Sequence, residues 1–152
     1  MIMAFKSVDD VLDFAIRREE ESVQMYTGLA AKMEKAYMRK VFEDFAREEK
    51  GHKKKLLDIK KGKLLVPAAA KVLDLKIAEH VTDVAPSRGL DYQEALIMAM
   101  KKEKEAFRLY TALADATEDS ALRTTLLGLA QEEAKHKLRF EVEYDEQFLS
   151  EN

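Results

Sequence analysis

The sequence predicts an all-α protein, a four-helix bundle made of two repeated helical hairpins joined by a long crossover. Three observations lead there. Only 5 Gly and 2 Pro occur in 152 residues, against 47% hydrophobic and 36% charged side chains, a balance that favours long helices over a sheet. Residues 7–56 align on residues 91–140 without a gap, at an offset of 84, and fifteen of the fifty positions are identical. Apolar residues recur at helical spacing through both copies.

Each element has readable ends. Ser7-Val8-Asp9-Asp10 fits the capping pattern that opens a helix, so helix one is expected from about Val8 to Met33. Helix two should run from about Ala36 to Lys61, closed by Gly62. Asp91-Tyr92-Gln93-Glu94 is a close variant of the first opening and starts helix three, expected over Tyr92 to Ala116. Asp119 or Ser120 caps helix four, which continues to about Phe148. Residues 62–90 read as a connector, marked by Gly62, Pro67, Pro86 and Gly89, with a short helix expected in Ala68–His80. The whole chain, 1–152, is read as one domain with hairpins over about 7–61 and 91–148. Helices of about 26 residues reach roughly 39 Å. Short turns within the hairpins and a long link between them imply one crossover along the length of the bundle.

Bulk properties narrow the chemistry. The formal net charge is -3 and no basic block stands out, which argues against nucleic acid as a partner. The chain has no cysteine, so disulfides, thiol catalysis and cysteine-bound iron sites are excluded. No apolar run approaches the roughly 18 residues of a membrane span, and the first residues lack a signal-peptide pattern. A cytoplasmic protein is the expectation.

The chemistry lies in acids on apolar stripes. Glu19 falls at the centre of the stripe of helix one, among Leu12, Ala15, Ile16, Val23 and Tyr26. Glu49 sits among Phe42, Phe45, Ala46 and Leu56, with His52 at one edge. Glu103 sits among Leu96, Ala99, Met100, Phe107 and Tyr110, and Glu133 among Leu126, Leu129, Ala130 and Phe140. Glu20 and Glu21 point outward. Glu-x-x-His occurs twice, as Glu49–His52 and Glu133–His136, and residues three apart share a helix face. Glu19 and Glu49 lie fifteen residues either side of Glu34, as Glu103 and Glu133 do around Glu118. Antiparallel helices therefore bring all four acids to one level, roughly 22 Å from the turns.

Unpaired buried carboxylates cost several kcal/mol each. Two divalent cations would cancel four ionised Glu, with His52 and His136 binding as neutral imidazoles. Oxygen and imidazole donors suit iron or manganese. The competing reading neutralises the acids with protons or with Lys53 and Lys137, one turn beyond Glu49 and Glu133.

Glu19 with Tyr26, Glu49-x-x-His52, Glu103 with Tyr110 and Glu133-x-x-His136 together resemble the rubrerythrin branch of the ferritin-like superfamily, across about residues 7–148. The resemblance implies two iron ions. Glu19 and Glu103 would each bind one terminally, Glu49 and Glu133 would bridge, and His52 and His136 would complete the shells. It also implies that Tyr26 and Tyr110 hydrogen-bond ligand carboxylates; otherwise they are core aromatics. Two departures stand out. The cysteine-rich electron-transfer domain of full rubrerythrins is lacking, and Ala106 occupies the place of an extra carboxylate that many members carry, with Ser22 as its counterpart. His80, beside Glu79 in the connector, reads as a surface residue.

The implied activity is reduction of hydrogen peroxide, with a separate rubredoxin or flavoprotein as electron donor. Iron oxidation by oxygen for storage or detoxification, as in bacterioferritins, is the main rival, followed by a di-iron oxygenase and a metal-free interaction module. The expected assembly is a homodimer, and the long connector would allow its hairpins to be exchanged.

Overall fold

The computed structural model describes residues 8–61 and 91–149. Four helices of 25 residues carry them: α1 (Val8–Lys32), α2 (Ala36–Lys60), α3 (Tyr92–Ala116) and α4 (Ser120–Tyr144). The expected boundaries hold to within a residue for the first three. Helix four changes character earlier than expected, giving way at Asp145–Leu149 to a single π-helical turn. There Phe148 leans on Tyr144, with ring centroids 5.3 Å apart. Ser7, the connector 62–90, its expected short helix and His80 lie outside the described residues.

Local chemistry explains the ends. Asp91 caps α3 by accepting from the Glu94 amide at 2.8 Å, and Asp119 caps α4 by accepting from the Leu122 amide at 2.8 Å. Asp119, not Ser120, is therefore the cap, and each aspartate satisfies one of the amides that a helix start leaves open. The two turns share a second device. Arg39 donates to the Met33 and Glu34 carbonyls at 3.1 and 2.6 Å, and Arg123 donates to those of Ala114 and Thr117 at 3.3 and 2.5 Å. These arginines stand 84 residues apart, so the duplication copied the clamp on each turn along with the helices.

Within each hairpin the helices pack along their length, and α1 also meets α3. Tyr92, at the start of α3, packs against Tyr37 and Phe42 near the α1–α2 turn, with centroids 5.9 and 6.0 Å apart. The end of α2 and the start of α3 are thus at opposite ends of the bundle, as a single crossover requires. All described secondary structure is helical, and the arrangement is a ferritin-like four-helix bundle.

The core divides into two parts. One holds Tyr26, Phe42, Phe45, Tyr92, Phe140 and Tyr144; the other holds Leu12, Leu56, Leu113, Leu122, Leu126 and Leu129. The 84-residue offset carries Phe42 onto Leu126, Phe45 onto Leu129 and Leu56 onto Phe140. One end of the bundle is therefore richer in stacked rings and the other in branched aliphatics. Between them sits a polar layer.

Candidate metal centre

Each helix contributes one acid to that layer. The glutamates are buried almost completely, at 0% exposure for Glu49 and Glu133, 1% for Glu103 and 2% for Glu19. His52 and His136 join them at 4% and 2%. Glu20 and Glu21 stay at the surface, as their helical phase predicts. All six expected residues are brought together.

The imidazoles turn Nδ1 inward and reach across the hairpins. His52 Nδ1 lies 2.7 Å from Glu133 Oε1 and 3.8 Å from Glu19 Oε2. His136 Nδ1 lies 2.8 Å from Glu49 Oε1 and 3.5 Å from Glu103 Oε2. The rings stack on each other at 5.3 Å with their planes 6° apart. Two groups of four donors result, Glu19–Glu49–His52–Glu133 and Glu49–Glu103–Glu133–His136, with a smaller group, Glu49–His52–His136, between them, and within each the ligand atoms lie within 4.8 Å of one another. Glu49 and Glu133 belong to both groups of four.

Protein atoms do not satisfy this layer. Both oxygens of Glu49 and of Glu133, Oε2 of Glu19 and of Glu103, and Nδ1 of both histidines have no hydrogen-bond partner. The close contacts above are ion-pair distances that lack hydrogen-bond alignment. Buried polar atoms are nearly always paired, so unpaired oxygens and nitrogens converging on one point are what a cation site requires. The lysines do not fill it: Lys53 bonds Glu20 at 2.9 Å, and Lys137 bonds Glu141 at 3.2 Å. The donor set fits two divalent cations, four carboxylates against four positive charges.

Without cations, protons balance the charge. Burial pushes the Glu49 carboxyl well above its usual range, and the charge of Glu103 adds to the effect. Burial does the same to Glu133, helped by Glu103, Glu49 and Glu19. Burial opposes ionisation of Glu19, but His52, Glu49 and Tyr110 hold its pKa below the ordinary value. For His136, burial pulls downward, yet Glu103 and Glu49 outweigh it and push the imidazole up to about 10.

The family model for rubrerythrin matches residues 10–144. The chain belongs to the rubrerythrin family. No curated protein and no solved structure gives a significant match.

Two features of this rubrerythrin-family centre go beyond its six expected residues. The first is the crossing of the tyrosines. Tyr26 donates its hydroxyl to Glu103 Oε1 and Tyr110 donates to Glu19 Oε1, so each hairpin fixes the other's acid and leaves Oε2 for the centre. Burial, then the neighbouring glutamate's charge, raises both phenols well above their usual range, which keeps them donors. The second is Glu48, which no spacing or motif separates from other surface acids. Its Oε2 lies 3.4 Å from His136 Nε2 and accepts from Arg139 at 2.8 Å. Arg139 in turn lies over the Phe45 ring at 4.3 Å, and that ring meets His136 edge-on at 5.0 Å. The repeat mate, Glu132, instead pairs with Lys135 at 3.5 Å. The only signal for Glu48 was its place beside Glu49.

Proposed function

We propose that this rubrerythrin-family chain reduces hydrogen peroxide at a di-iron centre, using electrons from a separate donor protein. The observation that carries the reading is the membership of Glu49 and Glu133 in both donor groups. In this reading Glu49 and Glu133 would be shared by two cations, Glu19 and His52 would help to hold one, and Glu103 and His136 the other. Hard oxygen donors with imidazole match iron, and manganese shares the same preferences. Two ferrous ions held there would supply the two electrons that, with two protons, turn hydrogen peroxide into two water molecules.

The chain's own groups prepare the site. Tyr26 and Tyr110 set the rotation of the terminal carboxylates. Glu48, braced by Arg139, sets its negative charge 3.4 Å from the outer nitrogen of His136, which favours the proton on that nitrogen and leaves Nδ1 for the centre. Burial on all four helices keeps bulk water from the reacting atoms and strengthens each charge interaction. In this reading the electrons return through an external rubredoxin or flavoprotein. No described helix is long and apolar enough to cross a membrane, and the reading invokes none.

The test is anaerobic loading with ferrous iron, followed by separate rapid mixing with hydrogen peroxide and with dioxygen. Oxidation of two irons per chain, at least tenfold faster with peroxide, is the expected result. Faster oxidation by dioxygen would turn the reading to iron oxidation for storage or detoxification.

A further inference from the structure

We infer that the oxidant reaches the centre through a narrow mouth between α1 and α3, which admits slender molecules of two or three heavy atoms and excludes organic hydroperoxides. The inference rests on the dinuclear reading above and adds the substrate class. Glu19 lines a cavity of about 10 Å³ together with Arg18, Ser22, Lys102, Ala106, Leu109 and Tyr110. That volume is room for roughly one water-sized molecule. Glu19, one of the residues lining the cavity, also carries the buried and unpartnered Oε2 that faces the other donors.

The walls follow the internal repeat. Arg18 and Lys102 form one 84-residue pair, and Ser22 and Ala106 form another. Both positions in the second pair are small, and Ser22 folds its hydroxyl back onto the Arg18 carbonyl at 3.2 Å. Neither sends a long side chain into the gap. At the rim Arg18 faces Glu105 at 3.9 Å, and Lys102 faces Glu21 at 4.0 Å. One cation and one acid come from each helix, so the rim carries no net charge. Width, not charge, is left to select. Exposed ion pairs at such separations are weak, so they brace the two helices without sealing them.

The α2–α4 side of the centre is lined by rings. His52 and His136 stack face to face between α2 and α4, and Phe45 covers the edge of His136. Hydrogen peroxide and dioxygen have the cross-section that the α1–α3 mouth accepts. An aryl hydroperoxide such as cumene hydroperoxide does not.

The test uses the full chain loaded with cobalt(II), with azide as a slender probe followed by its change in visible absorption. Ala106→Phe should retain two cobalt ions per chain and an unchanged ligand-field spectrum, while azide association slows at least tenfold. In the iron-loaded protein, Leu109→Ala should widen the mouth and raise the oxidation rate with cumene hydroperoxide at least fivefold. This second variant decides the matter alone if Ala106→Phe does not fold. Azide association within threefold of the parent in a loaded Ala106→Phe, or no gain with cumene hydroperoxide in Leu109→Ala, overturns the assignment of the mouth and leaves the metal centre standing. A parent chain that takes up no cobalt would remove the dinuclear reading and this inference together.

Discussion

Tyr26 on α1 donates its hydroxyl to Glu103 on α3, binding the acid of the other hairpin and not that of its own. Tyr110 returns the arrangement to Glu19. The polar layer thus ties the two halves together even before any cation is considered. Removing one hydroxyl should act on one metal position. Tyr26→Phe is expected to weaken the position that uses Glu103 by about tenfold or more, the usual scale for a partner of a ligand, with the fold retained. Competition with a chromophoric chelator measures this, and Tyr110→Phe should weaken the other position.

Glu49 and Glu20 share a surface-to-core contrast that gives a direct check on facing. Glu49→Ala removes a residue common to both donor groups and should abolish most metal binding. Glu20, which bonds Lys53 and Gln24 outside the core, should be replaceable by alanine with full metal content. Elemental analysis of the two purified variants after identical loading gives the answer.

Metal uptake should expel protons. The raised pKa values of Glu49, Glu133 and His136 favour protons on these groups in the metal-free protein. Cations need them deprotonated, so affinity falls as pH falls, and filling each centre should release protons near pH 7. Calorimetric titration with cobalt(II) in two buffers of different ionisation enthalpy counts them. A release near zero would mean that the carboxylates are already ionised without metal.

The paired arginine clamps make a stability prediction far from the centre. Arg39→Ala and Arg123→Ala each leave helix-end carbonyls without their guanidinium donor. Each change should cost about 1 kcal/mol and lower the thermal midpoint by roughly 3 °C. Thermal melts of the metal-free proteins separate this effect from any loss of metal.

The sequence exposed the helices and the polar layer because both follow from periodicity. An acid at the centre of an apolar stripe can be seen by counting, and equal distances from Glu34 and Glu118 place the four at one height. Partner choice across helices cannot be counted in that way. Nothing in the spacing of Tyr26 from Glu19 indicates that its hydroxyl serves Glu103, because that depends on how two hairpins rotate about each other. Lys53 looked able to neutralise Glu49 but swings out to Glu20, a choice set by side-chain direction. Arg39 and Arg123 were visible as an identity without a role, since a turn's open carbonyls appear only once its path is known. Glu48 stayed hidden for a similar reason: its carboxylate is half exposed, and only the inward turn of His136 gives it work.

The unequal filling of the two ends has a consequence for the origin of the fold. Three phenylalanines on one side of the layer, Phe42, Phe45 and Phe140, answer to three leucines on the other, Leu126, Leu129 and Leu56. A tandem chimera carrying the first hairpin twice would keep every metal-facing group. Each end would nevertheless receive two phenylalanines and one leucine, overcrowding the aliphatic end and leaving a void at the aromatic one. The halves still agree on chemistry but have become lock and key in shape, so only one heterologous pairing of them packs.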